Sequence, residues 1–337
     1  MRREEDAKLH QRLLVVVCRP AQRRPPRRTS PGRPSATEMI MSWGGKDGQH
    51  VPVPSQSSDV IPCRYAVFLV PCAMMERTSK GEDGMAATSD VIVIGGGMIG
   101  LSVAYALQRA RLNVMLVERG VVGREASWAA AGYLSFQGDS NQPGPRLELM
   151  RVSRLLYDGW LEELAEYSAA DTGFWRCGLL EVCLTDEEVR AAQERLLWQR
   201  AAGYAIEWLD AATVRARQPQ LAPDLPVHGG LWLPEVAQVR PPRLLKALTE
   251  AVLRLGVQVR EYAPVVGVTR RGEQVTGVTL ASGEHLAAPL VVNAAGSWAA
   301  QIAPEMARLP VKPVKGTIVL LEMPAPPTRA LLVTSRG

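Results

Sequence analysis

Three glycines, at positions 95, 97 and 100, have the spacing G-x-G-x-x-G of a phosphate-binding turn. They follow the apolar run DVIVI (90–94), which is typical of a buried parallel strand, and precede LSVAYALQRA (101–110), which has helical spacing. The first glycine permits the tight turn, the second lets the backbone approach a pyrophosphate, and the third lets helix and strand pack closely. These residues therefore predict a strand, a turn and a helix whose first amides face a pyrophosphate.

An acidic residue lies where such a unit would bind a ribose. The run NVMLVE (113–118) predicts a second strand ending on Glu118, whose carboxylate can accept hydrogen bonds from both hydroxyls of an adenosine ribose. A carboxylate at this point disfavours a 2′-phosphate, so NADP is not expected. A glycine-rich turn in an unrelated α/β unit is the alternative interpretation, and this unit alone does not choose between NAD and FAD.

Composition and charge narrow the classes of partner. The chain of 337 residues is 47% apolar and has no apolar run long enough to span a bilayer. Residues 1–84 hold 14 basic residues (Lys and Arg) against 9 acidic ones (Asp and Glu), whereas residues 85–337 hold 25 basic and 25 acidic residues. The net charge of +5 therefore lies entirely in residues 1–84. We therefore expect neither a nucleic-acid nor a membrane partner. Association of identical chains into a homo-oligomer remains a possible alternative to a monomer.

The cysteines and histidines form no site of their own. The five cysteines have neither a paired framework nor zinc-ligand spacing, and the four histidines are scattered. We expect no metal, and we expect Cys177 and Cys183 to pack as small apolar groups. A reducing, cytoplasmic location is the simplest interpretation.

Three later stretches choose FAD over NAD. They are GREASWAAAGYLS (123–135), PLVVNAAGSWA (289–299) and LPVKPVKGTIVLL (309–321), and the stretch QVRPPRLLKAL (238–248) adds to the resemblance that follows. Together with the glycine turn, they resemble the FAD-dependent D-amino-acid oxidase family and, within it, the bacterial glycine oxidases of thiamine biosynthesis. The resemblance runs from about residue 89 to the last residue, and it implies non-covalently bound FAD.

The resemblance also implies a set of cofactor contacts. The implied contacts with the pyrophosphate are Gly95, Gly97, Met98, Ile99 and Gly100, and those with the adenosine portion are Glu118 and Arg119. The implied contacts with the ribityl chain and flavin ring are Ala126, Ser127, Ala131, Gly132 and Tyr133, and the backbone of Val265 would contact adenine. For each small residue, tight packing in a loop is the alternative interpretation. Tyr133 departs from the family, which usually has Met there facing flavin and substrate, and it is a candidate pocket residue.

The resemblance implies oxidation of a small amino acid or amine. A hydride would pass from the substrate Cα to flavin N5, O2 would be reduced to hydrogen peroxide, and the released imine would hydrolyse to an oxo acid and ammonia. The Arg and Tyr that contact substrate in the family would lie beyond residue 337, so no catalytic residue is assigned and C-terminal truncation is expected. Two alternatives stay open: an amino-acid dehydrogenase that reduces a quinone, and a non-catalytic flavin-binding remnant.

The expected fold is α/β. A discontinuous, Rossmann-like FAD-binding domain (89–135 and 238–308) would enclose an inserted α+β substrate domain (136–237 and 309–337) with an antiparallel or mixed sheet. Residues 19–38, rich in Arg, Pro and Ser, lack helical or strand periodicity. We therefore expect residues 1–84 to be a disordered leader outside the fold.

Overall fold

The computed structural model describes residues 16–18, 89–138, 143–314, 316, 318 and 328–334. All the elements that follow lie within these residues. In chain order the strands and helices are β1 (Val16–Cys18), β2 (Val91–Ile94), α1 (Met98–Arg109), β3 (Val114–Val117), β4 (Tyr133–Leu134), α2 (Pro145–Ala165), β5 (Leu179–Cys183), α3 (Asp186–Ala201), β6 (Glu207–Leu209), α4 (Ala211–Arg217), β7 (Gly229–Leu233), β8 (Ala237–Gln238), α5 (Pro241–Arg254), β9 (Gln258–Arg260), β10 (Val265–Arg271), β11 (Gln274–Leu280), β12 (His285–Ala287), β13 (Leu290–Asn293) and β14 (Leu331–Val333). Two 3₁₀ helices, Gly296–Gln301 and Pro304–Met306, follow β13.

The first sheet is the α/β core that the glycine turn predicts. Its strand order is β1-β13-β2-β3-β9, and β13, β2, β3 and β9 are parallel. Helix α1 connects β2 to β3. Both strands are fully buried, as expected of a parallel sheet covered on both faces. The predicted α/β fold class is confirmed.

Alternate residues of β2 belong to two different cores. Val91 and Val93 pack in the cluster formed with helices α1 and α5, whereas Ile92 and Ile94 pack in the cluster that includes strand β11. Burying a side chain of this size contributes about 1.5–3 kcal/mol. The sheet is therefore held between a helical layer and an antiparallel layer of three strands, β10-β11-β12.

One short strand differs from the expectation for the leader. Val16–Cys18 pairs antiparallel with β13 at the edge of the first sheet. For these three residues the expectation of a leader outside the fold is wrong. The physical reason is that an apolar, β-branched run can pair with a sheet edge whose backbone groups are otherwise open. The rest of residues 1–84 lies outside the described residues, and its disorder stays a prediction.

A second sheet is mixed, with strand order β14-β5-β7-β6. Strand β14 is parallel to β5, and the other neighbours are antiparallel. Helix α3 packs on this sheet through Ala192 and Leu196. Thr185 caps its N-terminus, because the Thr185 hydroxyl accepts a hydrogen bond from the Glu188 N–H at 3.2 Å.

The distribution of the strands bears on the expected domains. The first sheet takes its strands between 91 and 293, apart from β1, and the second between 179 and 333. The two-domain division is consistent with this arrangement and stays a prediction. Most of the stretch GTIVLL (316–321) lies outside the described residues. None of the described helices is long and apolar enough to cross a membrane.

Candidate functional site

The glycine turn between β2 and α1 leaves no space for side chains at two positions. Gly95 has φ +102°, and a Cβ there would lie 2.5 Å from the Ala294 carbonyl oxygen. A Cβ at Gly100 would lie 1.8 Å from the Gly95 carbonyl oxygen. Both glycines are therefore required by close backbone approach, the first to the turn after β13 and the second within the turn itself.

At the start of α1, one backbone amide that has no acceptor within the helix is hydrogen-bonded to a side chain instead. The Met98 N–H donates to Ser127 Oγ at 3.0 Å, and a Cβ at Gly97 would lie 3.1 Å from the same oxygen. The Ser127 hydroxyl thus lies at the helix N-terminus, where amides and the helix dipole favour an anion. Ile99 continues the helix and packs partly buried against the first core.

Glu118 ends β3 with a buried carboxylate, and its side chain reaches back to the turn. Oε2 accepts a hydrogen bond from the Gly96 N–H at 2.7 Å, and Oε1 accepts one from the Gly120 N–H at 2.9 Å. The residue is 7% exposed. Because each carboxylate oxygen can accept a second hydrogen bond, Glu118 is held in place and retains acceptor capacity for ribose hydroxyls.

The chain near residue 265 returns to the end of β3. The Ala263 N–H donates to the Glu118 carbonyl oxygen at 2.9 Å, and the Tyr262 N–H donates to the Gly120 carbonyl oxygen at 3.0 Å. Val265 begins β10 two residues later, partly buried against the second core. These bonds bring Val265 to the same edge of the sheet as Glu118, as a contact with the adenosine portion requires.

The Arg119 guanidinium contacts two side chains that could not be predicted from the sequence. Its guanidinium carbon lies 3.5 Å from the centroid of the Trp298 ring, and its Nη2 lies 2.7 Å from Glu125 Oε1. Trp298 belongs to the 3₁₀ helix after β13. The predicted contact of Arg119 with adenosine stays a prediction, and its guanidinium contacts both Trp298 and Glu125.

The small-residue loop 124–132 leads from the ribose end to strand β4. Ala126 and Ala131 are exposed. Gly132 has φ +82°, and a Cβ there would lie 2.3 Å from the Val239 carbonyl oxygen. Tyr133 follows it in β4, paired with Gln238 of β8, and is 42% exposed. The loop is thus an open surface beside the turn, anchored where the chain enters the separate two-stranded sheet of β4 and β8.

The turn after β13 completes the edge of the sheet. Asn293 is fully buried, its Nδ2 donates to the Ala299 carbonyl oxygen at 2.9 Å, and its Oδ1 accepts from the Ala295 N–H at 3.1 Å. This side chain fixes the turn against which Gly95 packs. Asn293 lies in the stretch PLVVNAAGSWA (289–299), but no pattern in that stretch indicated the role of this side chain.

Other reactive groups lie apart from this edge. Cys177 and Cys183 are buried thiols without a disulfide, and burial, together with the nearby Glu181 carboxylate, raises the pKa of Cys183 to about 11. Both pack as predicted. Within the described part of the chain no three His, Cys, Asp or Glu side chains lie close enough to hold a metal ion.

A parallel sheet, a glycine turn at a helix start and a buried acid at the end of the next strand define a dinucleotide-binding flavoprotein or dehydrogenase fold. The comparison with protein families decides between them. The model of FAD-dependent oxidoreductases called DAO matches residues 90–336. The chain belongs to this family, whose cofactor is FAD.

Individual relatives agree with the family. The bifunctional protein ThiO/ThiG of Synechocystis sp. is 38% identical over 243 residues, which are 72% of this chain and 34% of that protein. The glycine oxidase of Geobacillus kaustophilus is 32% identical over 249 residues, 74% of this chain and 65% of that protein. The crystal structure of glycine oxidase from Geobacillus kaustophilus matches with a TM-score of 0.70 at 30% identity, covering 75% of this chain and 67% of that one. The chain thus spans between a third and two thirds of the length of these curated relatives.

Proposed function

We propose that this chain carries the FAD-binding part, and a portion of the substrate pocket, of an enzyme that oxidatively deaminates glycine or a similar small amine. FAD, held at the glycine turn and Glu118, would supply the hydride acceptor N5 and the route of the electrons to O2, with hydrogen peroxide as the product. The names of the relatives, glycine oxidase and ThiO/ThiG, support the substrate class and a place in thiamine biosynthesis.

The buried carboxylate of Glu118 is the observation that carries the proposal. It is held by the Gly96 and Gly120 amides at the carboxyl end of β3, beside a turn that tolerates only glycine at two positions. In the proposal Glu118 orients the adenosine ribose, and the α1 amides neutralise the pyrophosphate. For all thirteen residues implied by the resemblance, we propose the cofactor contacts given in the sequence analysis.

The chain's own groups have two tasks in this reaction. The loop 124–132 would place backbone close against the cofactor, because its small residues leave room for a planar group. Tyr133, at the end of that loop, would face the substrate amine. The proposed setting is the cytoplasm, because the described thiols Cys177 and Cys183 are unpaired, as a reducing compartment keeps them.

The test is turnover by the full chain loaded with FAD. Oxygen uptake with an equal amount of peroxide on addition of glycine supports the proposal. Reduction of a soluble quinone without oxygen uptake identifies a dehydrogenase instead, and bound flavin without oxidation of any amine identifies a non-catalytic flavoprotein. Glu163→Gln, which alters an ion pair with Arg109 at the other end of α1, is the control variant.

A further inference from the structure

The Arg119 guanidinium lies flat on the Trp298 ring. Its central carbon is 3.5 Å from the ring centroid, which is a van der Waals contact between two stacked planar groups. An edge-on guanidinium could not approach so closely, because its N–H groups would then overlap the ring. One face of the guanidinium is therefore covered by Trp298, and the opposite face points away from the ring.

A carboxylate restricts the rotation of the same guanidinium within its plane. Arg119 Nη2 lies 2.7 Å from Oε1 of Glu125, which belongs to the small-residue loop after β3. The stacked ring opposes tilting and the carboxylate opposes rotation, so the two contacts together orient the guanidinium. The side chains of Arg119 and Glu125 are 41% and 53% exposed, so the uncovered face of the guanidinium is accessible to a ligand.

The stack lies at the adenosine end of the proposed cofactor site. Arg119 directly follows Glu118, whose buried carboxylate comes immediately after β3. Trp298 is part of the 3₁₀ helix Gly296–Gln301, which follows the turn that packs on Gly95. A base attached to a ribose at Glu118 would therefore lie beside Arg119.

A flat cation with one open face can bind a nucleobase. A guanidinium is attracted to the electron-rich face of a planar ring, and every nucleobase has such a face. A flexible arginine side chain would lose conformational entropy when a base stacks on it. Arg119 loses less, because Trp298 and Glu125 orient its guanidinium before the ligand binds.

We propose that Trp298 and Glu125 are positioning residues that hold Arg119 as a platform on which the adenine of the cofactor stacks. This rests on the proposed function, in which the glycine turn and Glu118 bind the adenosine diphosphate part of FAD. Neither Trp298 nor Glu125 is among the cofactor contacts that the resemblance implies. Trp298 acts through Arg119, so its contribution to binding disappears when the guanidinium is removed.

The test measures the Kd for ADP, by competition with FAD in equilibrium dialysis, on the full chain and its variants. Trp298→Leu keeps an apolar side chain but removes the aromatic face, and we expect it to raise the Kd about 10-fold. Trp298→Phe retains a ring and should raise the Kd less than about 3-fold. In the Arg119→Ala background, Trp298→Leu should change the Kd less than about 2-fold. Arg217→Ala, which removes a guanidinium 5.3 Å from the Trp232 ring, is the control for Arg119→Ala.

Inorganic pyrophosphate, which lacks the ribose and the base, distinguishes this role from a general effect on folding. Its Kd should be the same in the unchanged chain and in Trp298→Leu, because the stack contacts only the base. Glu125→Gln removes the charge that restricts the guanidinium and should raise the Kd for ADP about 2-fold to 5-fold. Glu284→Gln is its matched control, because it makes the same change in an exposed pair with Arg260.

Three results overturn the inference. They are an unchanged Kd for ADP in Trp298→Leu, an equal loss of pyrophosphate and ADP affinity, and an equal effect of Trp298→Leu with and without the Arg119 guanidinium. Should Trp298→Leu fail to fold, Glu125→Gln decides, and a Kd for ADP equal to that of Glu284→Gln overturns the inference.

The two proposals fail in different ways. If the unchanged chain binds FAD and ADP displaces it, any of these results refutes only the stacking platform. If FAD does not bind, or ADP does not displace it, the proposed function fails and the inference that rests on it fails as well.

Discussion

Replacing Glu118 by Gln separates the acceptor role of this residue from its shape. The substitution keeps the side-chain volume but turns one terminal oxygen into an NH2 group, which donates and cannot accept. Whichever way the amide is turned, either the Gly96 N–H or the Gly120 N–H then faces another donor. The buried turn loses one of the two bonds that hold it.

The expected magnitude follows from burial. A buried N–H left without an acceptor costs about 1–3 kcal/mol, so the free energy of unfolding of the apoprotein should fall by that amount. The ribose would also lose a charged acceptor, and its hydrogen bonds to a charged group are worth about 1.5–3 kcal/mol. At 1.4 kcal/mol per factor of ten, we expect the Kd for FAD to rise about 10-fold to 100-fold.

Urea unfolding of the apoprotein and titration with FAD measure the two effects separately. Glu163→Gln is the matched control, because it makes the same chemical change in a half-exposed ion pair with Arg109. Such pairs contribute at most about 1 kcal/mol. The reasoning is refuted if Glu118→Gln and Glu163→Gln have the same unfolding free energy and the same Kd.

Three further predictions concern close packing and titration. Gly100→Ala should abolish FAD binding, measured by flavin fluorescence, because its Cβ would lie 1.8 Å from the Gly95 carbonyl oxygen; retained binding would contradict this. Gly178→Ala should lower the urea midpoint, because φ is +66° and the new Cβ would lie 2.1 Å from the Trp232 ring, and an unchanged midpoint would be the contrary result. Burial raises the pKa of the Cys183 thiol from 9.0 to about 11. The folded state therefore holds the proton more tightly, and its stability should decline as pH rises from 9 to 11, by up to about 1.4 kcal/mol per pH unit. Cys183→Ala should remove this decline in unfolding experiments, and an equal slope in both proteins would speak against it.

Much of the first sheet could be predicted from local sequence. The run DVIVI and the run NVMLVE are short, apolar and β-branched, and the strands β2 and β3 lie within them. The glycine spacing located the turn because the steric requirement at Gly95 and Gly100 depends on atoms only a few residues away or on the neighbouring strand. Glu118 followed from its place at the end of a strand.

What could not be predicted depends on contacts between distant residues. Ser127 reaches the Met98 amide across 29 residues, and Trp175 meets Gln238 only because the inserted segment folds back beside β8. No periodicity or residue spacing in the sequence predicts such contacts between distant residues. The pairing of Val16–Cys18 with β13 is of the same kind, because it links residues separated by most of the chain.

The central claim is that the turn at 95–100 and Glu118 bind the adenosine diphosphate half of FAD. The direct measurement is equilibrium dialysis of the full chain against FAD and against FMN, which lacks the AMP portion of FAD, with ADP as competitor. We expect that FAD is retained, that ADP displaces it, and that FMN binds at least about 100-fold more weakly, since FMN lacks one phosphate and the adenosine that Glu118 would bind. Equal retention of FMN and FAD, or no effect of ADP, would contradict it.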